Sequence, residues 1–173
     1  IPTGGDYQAM VNNGVQVVQS NQATITRYPD AGYQAVVRRM DDPVIGGDMK
    51  WITRKSGNGG GYENDYYVTE SAAGKGYVTN TATWTLSNGR GRVRVNAYIP
   101  TLDAVAGVVY QVYDGNTLLA SVPVNQKTSY GFVQLGTWNF SSGTIVVKIL
   151  DNQGAGPYGW LIGLDCVEGI PVG

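Results

Sequence analysis

The chain has 173 residues, twelve basic against thirteen acidic side chains, a net charge of −1 and no histidine. A chain this long forms one domain, or one domain with an appendage, and buries roughly two thirds of its unfolded surface without a cross-link. Lack of histidine excludes Ser-His-Asp and Cys-His catalysis and any histidine metal site within the chain, while near-neutrality excludes a steering field for nucleic acid or an acidic membrane.

Residues 1–48 are read first as an N-terminal extension. Gly14 to Gln19 and Ala23 to Arg27 suit a hairpin around Ser20-Asn21-Gln22, and Tyr33 to Met40 suits another strand or a short helix. Asp41-Asp42-Pro43 breaks the pattern and Gly46-Gly47 reads as a linker. The segment is expected to be extra strands docked on the main domain or part of a neighbouring module.

From residue 49 to 173 strand candidates follow at nearly regular spacing: Met49–Arg54, Tyr66–Glu70, Thr81–Leu86, Arg92–Ile99, Val108–Tyr113 and Thr117–Val122. Turn signals separate them at Gly57-Asn58-Gly59-Gly60-Gly61, Ala73-Gly74-Lys75-Gly76, Ser87-Asn88-Gly89 and Asp114-Gly115-Asn116. Asp114-Gly115 suits the positive backbone angles of a two-residue hairpin turn. Only Leu102 to Val109 reads as briefly helical. Phe132 to Glu168 reads as three further strands. Val133 and Leu135 alternate with polar neighbours, Trp138 and Phe140 resume three residues on, and Ile145, Val147 and Ile149 form a second stripe. A bulge at Gly136 would keep Leu135 and Trp138 on one buried face. Ser141-Ser142-Gly143 reads as a tight turn and Asp151 to Pro157 as a longer loop before the strand Trp160–Glu168. The expected fold is all-β, a jelly-roll β-sandwich of about eight to ten antiparallel strands.

Cys166 is the single cysteine, so no intrachain disulfide exists; between apolar strand residues it is expected to be a small buried hydrophobe. Arg90, Arg92 and Arg94 alternate and share a face, read as a solvated sheet surface with too few charges for phosphate recognition. No apolar run approaches the roughly 20 residues of a membrane span. Low charge, 25 glycines and 12 tyrosines resemble the composition of secreted bacterial β modules. The start at Ile1, without initiator or signal peptide, reads as a processed or excised piece, expected at the cell surface or outside the cell.

Six ordered pieces between Trp51 and Glu168 resemble the golvesin-like family, also described as the xanthan-lyase-type carbohydrate-binding domain. They are Tyr62-Glu63-Asn64-Asp65-Tyr66, Thr81-Ala82-Thr83-Trp84-Thr85, Arg92 to Pro100, Val108 to Asn125, Leu135-Gly136-Thr137-Trp138-Asn139-Phe140 and Leu164-Asp165-Cys166-Val167-Glu168. Tyr113 stands where the pattern often carries histidine, and Glu63 replaces a glycine. The resemblance implies a jelly roll and a non-catalytic accessory role, commonly carbohydrate or cell-envelope binding attached to secreted hydrolases. It supplies no site residues.

Sugar recognition needs flat aromatic faces against the C–H side of a pyranose and planar polar groups for its hydroxyls. The candidate ligand-binding residues are Tyr158, Trp160, Tyr62, Tyr66, Asn64, Asp65, Asn152 and Gln153, with Tyr67, Tyr98, Tyr130 and Asp103 as further members. Tyr66 and Tyr67 face opposite ways in a strand, so at most one is core. Trp84 and Trp138 fit apolar stripes and are expected in the core. No cofactor is expected; Asp41-Asp42 and Asp151-Asn152 are the densest oxygen groups for a structural calcium ion, and neither forms an EF-hand loop. Glu63, Glu70 and Glu168 are the only glutamates, and none lies in a catalytic motif; Glu70 and Glu168 are expected as solvated carboxylates at strand ends. The expected function is therefore a non-catalytic module binding polysaccharide or cell-wall polymer, beside a catalytic domain in a longer chain. The alternatives are a structural or adhesive assembly module and a histidine-free hydrolase.

Overall fold

A computed structural model describes residues 11–12, 15–18, 24–27, 36–39, 44–47, 53–56, 60–78, 80–101, 107–154 and 160–172, with backbone alone for the strands up to residue 56 and for Glu63 and Asp65. Its strands are β1 (Val11–Asn12), β2 (Val15–Val18), β3 (Thr24–Arg27), β4 (Val36–Arg39), β5 (Val44–Gly47), β6 (Thr53–Ser56), β7 (Asp65–Glu70), β8 (Asn80–Ile99), β9 (Val108–Asp114), β10 (Thr117–Val124), β11 (Gly131–Gly154), β12 (Leu161–Leu164) and β13 (Val167–Pro171). All pairings are antiparallel. The larger sheet runs β1-β2-β3-β4-β13-β8-β11-β9-β10 with β5 beside β8, and the smaller runs β12-β7-β6. Among the described residues, the only helical element is a 3-10 turn at Tyr62–Asn64. Of the expected helical stretch, Val108 and Val109 open β9, and 102–106 lie outside the described residues.

The sandwich comes from one long ribbon, β8 paired with β11, that folds over on itself. Gly169 pairs with Val95, nine residues from Leu86, which would be about 30 Å in a straight strand. Yet a Cβ on Gly169 would stand 3.7 Å from Leu86 Cδ2 and 3.5 Å from Ile145 Cδ1. The two halves of the ribbon therefore face each other across a single core. Side-chain parity records the corner: Ala82, Trp84 and Leu86 point inward before it, and Val93, Val95, Ala97 and Ile99 after it. A switch from even to odd positions requires extra residues, and the left-handed backbone at Asn88, Gly91 and Gly143 supplies the bend.

Two expected turns are thereby corrected. Ser87-Asn88-Gly89 and Ser141-Ser142-Gly143 do not reverse the chain; they are opposed irregularities in the ladder, with register shifts at Phe140/Gly143 and Gly143/Thr144. Four expected strands merge into two, and Trp160–Glu168 divides into β12 and the start of β13. The bulge near Gly136 is present, because Gln134 pairs with Asn96 and Gly136 with Val95, leaving Leu135 as the extra residue. Leu135 is buried and Trp138 is half-buried against the core. The hairpin between β9 and β10 turns on Gly115-Asn116, one residue later than expected. Only the first of this pair has positive φ, the type II′ pattern.

Ile162 and Leu164 of β12 join the same core, with Tyr67 packed against it. Trp84 anchors the contact between layers, its indole Nε1 donating to the Asp165 carbonyl at 2.6 Å. Tyr110 is fully buried against the Trp84 ring, and burial pushes its hydroxyl well above the ordinary tyrosine range despite a hydrogen bond from Gln126. Cys166 is buried as expected. Of the extension, β4 pairs with β13, β3 with β4, and β5 with β8. No helix among the described residues is long and apolar enough to cross a membrane.

Candidate functional site

One end of the sandwich presents an aromatic rim. Trp160 precedes β12, and its carbonyl accepts a 2.7 Å hydrogen bond from Ser71 N just beyond β7, which fixes where the indole emerges. The residue is 40% exposed, and its neighbour Leu161 is 37% exposed. The Lys127 ammonium stands 5.8 Å from the indole centroid, a cation–π contact that orders one side of the ring. Tyr130 is exposed in the same loop as Lys127, donating its hydroxyl to the Lys127 carbonyl at 2.9 Å.

The loop carrying Lys127 is held from beneath. Gln126 has 0% exposure; its amide donates to the Gly163 carbonyl and accepts from Gly163 N, both at 2.9 Å, and also donates to the Tyr110 hydroxyl at 3.2 Å. Asn125 Oδ1 accepts from Lys127 N at 3.0 Å, a side-chain-to-backbone turn. A buried amide and an Asx turn thus position a lysine over a tryptophan. Lys127 and Gln126 were not singled out in the sequence; Asn125 is a turn former, but nothing local marks a glutamine as buried.

The remaining candidates are dispersed. Tyr62 does not reach the rim: its backbone N donates to Asp165 Oδ2 at 2.8 Å, at the far end of the β7–β12 pair from Trp160. Its ring joins Tyr98 and Phe132 in an edge-to-face trio with centroids 5.5, 5.5 and 5.1 Å apart. The Tyr98 hydroxyl is pushed up by partial desolvation and by the Asp165 charge. Tyr66 is a correction, since it is buried with its ring against the Gly60 backbone. Tyr67 packs on the main core from the opposite side of β7, so each tyrosine is covered by a different layer. Asn64 is exposed and closes the 3-10 turn with φ of 65°. Gln153 lies on the outer sheet face, its Oε1 accepting from Gln111 Nε2 at 3.2 Å. Asn152 is half-buried, and its Oδ1 is buried without a hydrogen-bond partner. Tyr158 and Asp103 lie outside the described residues, and only the backbone of Asp65 is described.

Among the described residues the carboxylates mostly serve the fold. Asp151 is buried and accepts from Asn80 N at 2.6 Å, so that member of the Asp151-Asn152 pair is already engaged. Glu168 corrects an expectation: it is 3% exposed rather than solvated, accepting from Asn96 Nδ2 at 2.9 Å. Glu70 is half-buried in β7, and the Glu63 side chain and Asp41-Asp42 lie outside the described set. Among the described residues no three His, Cys, Asp or Glu side chains cluster as metal ligands. Arg90 and Arg92 are exposed, as a solvated face requires, while Arg94 Nε is buried without a partner.

No family model and no curated protein matches the chain. Among solved structures, the fold is similar to part of a Paenibacillus xanthan lyase, with TM-score 0.52 and 23% identity over 77% of this chain and 13% of that one. A Podospora anserina GH26-CBM35 β-(1,4)-mannanase is also similar, with TM-score 0.46 and 14% identity over 77% of this chain and 28% of that one. The chain thus spans under a third of either protein's length. The likeness is one of fold, an antiparallel β-sandwich that occurs within a carbohydrate-active enzyme.

Proposed function

We propose that this chain is a non-catalytic module that binds polysaccharide or cell-envelope polymer through the Trp160 rim, attached to a catalytic domain of a secreted or surface protein. The observation that carries the reading is the indole of Trp160, exposed at the sandwich end while its backbone and Lys127 neighbour are held in place. A pyranose stacks its C–H face on such a ring at little entropic cost, because the platform is ordered before the ligand arrives. The lysine supplies a polar contact beside the ring. Engagement of Asp114, Asp151, Asp165 and Glu168 in hydrogen bonds within the fold favours binding over hydrolysis. The ordered golvesin-like pieces and the fold likeness to part of a xanthan lyase support the same reading.

Native gels containing xanthan or β-1,4-mannan give the test. Retardation of the wild-type chain that Trp160→Ala abolishes, with an unchanged thermal midpoint, is the expected result. Absence of retardation on either polymer and on a wider polysaccharide panel would overturn the reading, as would turnover of the polymer by this chain alone.

A further inference from the structure

The outer face of the β9–β11 pair carries an ordered polar strip. Tyr113 donates its hydroxyl to Gln111 Oε1 at 2.8 Å, and Gln111 donates its amide to Gln153 Oε1 at 3.2 Å. Lys148 rests its ammonium 5.1 Å from the Tyr113 ring centroid. The register places Ser121, Gln111, Lys148 and Thr83 side by side on β10, β9, β11 and β8. With strands about 4.8 Å apart, that row is roughly 14 Å long, the span of a short oligosaccharide.

We infer that this strip is a second polysaccharide-binding surface, which takes an extended glycan chain across the strands; the inference rests on the carbohydrate-binding reading above. Three properties carry it. The amides, phenol and ammonium are held in register by contacts with one another, so little side-chain freedom is lost on binding. Donors remain for sugar oxygens: the Gln153 contact uses its carbonyl and leaves the amide nitrogen, and among the described residues no acceptor takes the Lys148 N–H groups. The row carries two hydroxyls, those of Ser121 and Thr83, and none of its side chains is acidic. Such a surface complements a chain of hydroxyls, and the Lys148 charge adds affinity for a polymer that carries carboxylates.

The test compares Gln111→Ala and Lys148→Ala with Trp160→Ala, each checked for an unchanged thermal midpoint, by affinity electrophoresis and calorimetry on xanthan and β-1,4-mannan. The strip predicts about tenfold weaker binding to polymer in each strip variant, additive with the loss from Trp160→Ala. Affinity of both strip variants equal to wild type, with Trp160→Ala still defective, would overturn the second surface and leave the rim reading intact. Failure of the wild type to bind any polymer would overturn both. Loss confined to the strip variants would support the strip and overturn the rim.

Discussion

Trp84 on β8 and Asp165, between β12 and β13, are joined by a 2.6 Å hydrogen bond from the indole N–H to a backbone carbonyl. The sequence separates them by 81 residues, and the bond lies in the buried interior. Trp84→Phe keeps much of the ring but leaves that carbonyl without its donor, a loss of about 1–3 kcal/mol. Trp84→Ala adds a cavity and is expected to cost about 3–5 kcal/mol. Urea denaturation of both variants checks the ranking.

Gln126 secures Gly163 from both sides, so Gln126→Leu would leave a buried N–H and a buried carbonyl unpaired. The expected destabilisation is about 2–4 kcal/mol. Because Lys127 follows directly, polymer retention at the Trp160 rim should fall as well, at temperatures where the variant is still folded. Full retention by a folded Gln126→Leu would separate the loop from the ligand site.

At the corner of the ribbon, a Cβ on Gly89 would stand 2.5 Å from Ile145 Cδ1 and 2.7 Å from its Cγ1. Gly89→Ala therefore overpacks a fully buried isoleucine and is expected to cost about 1–3 kcal/mol. Combining it with Ile145→Val should recover part of the loss, a coupling that a double-mutant cycle measures directly.

Asp114 at the end of β9 accepts hydrogen bonds from Ser141 N at 2.9 Å, Ser141 Oγ at 2.7 Å and Ser142 N at 2.9 Å. Desolvation pushes its carboxyl up, but the bonds from Ser142 and Ser141 together outweigh it and hold the group below the usual carboxylate range. The folded value lies below the unfolded one of about 3.9, so the stabilisation is present above about pH 4 and is lost as pH falls through the folded value. The group is near the surface, and solvent screening limits the effect to under about 1 kcal/mol. Asp114→Asn should lower the thermal midpoint by roughly 2 °C at pH 7, with the gap to wild type narrowing as pH falls from about 4 toward 2.

Lys127→Ala removes the cation beside Trp160 while sparing the buried Gln126 anchor. Binding to polymer should weaken a few-fold, within the range of an exposed cation–π or charge-assisted contact. The salt dependence of binding should flatten at the same time, which titration at two ionic strengths would read.

Period-2 alternation made the strands legible, and even the bulge at Leu135 follows from a parity that a regular strand cannot satisfy. The corner of the ribbon was not legible. Ser-Ser-Gly and Ser-Asn-Gly supply left-handed backbone whether the chain reverses or merely bends, and the choice depends on which strand lies opposite. At the site, Trp160 could be picked out because it follows a glycine-rich loop, whereas Gln126 owes its role to Gly163, a partner 37 residues away. Tyr66 misled for a related reason. Tyr67 packs partly against the core through its strand face, while the burial of Tyr66 depends on non-local chain such as the backbone at Gly60.

The ribbon's passage through both halves of the sandwich has a consequence for how the molecule comes apart. The β8–β11 pairing runs through its corner from Ile99 opposite Gly131 to Thr81 opposite Leu150, so neither half can peel away without opening the backbone ladder that it shares with the other. Hydrogen exchange should therefore report one opening unit on both sides of the corner, with amides of Ala82 and Ala97 released together. A chain built this way would hold together under load until it yielded all at once.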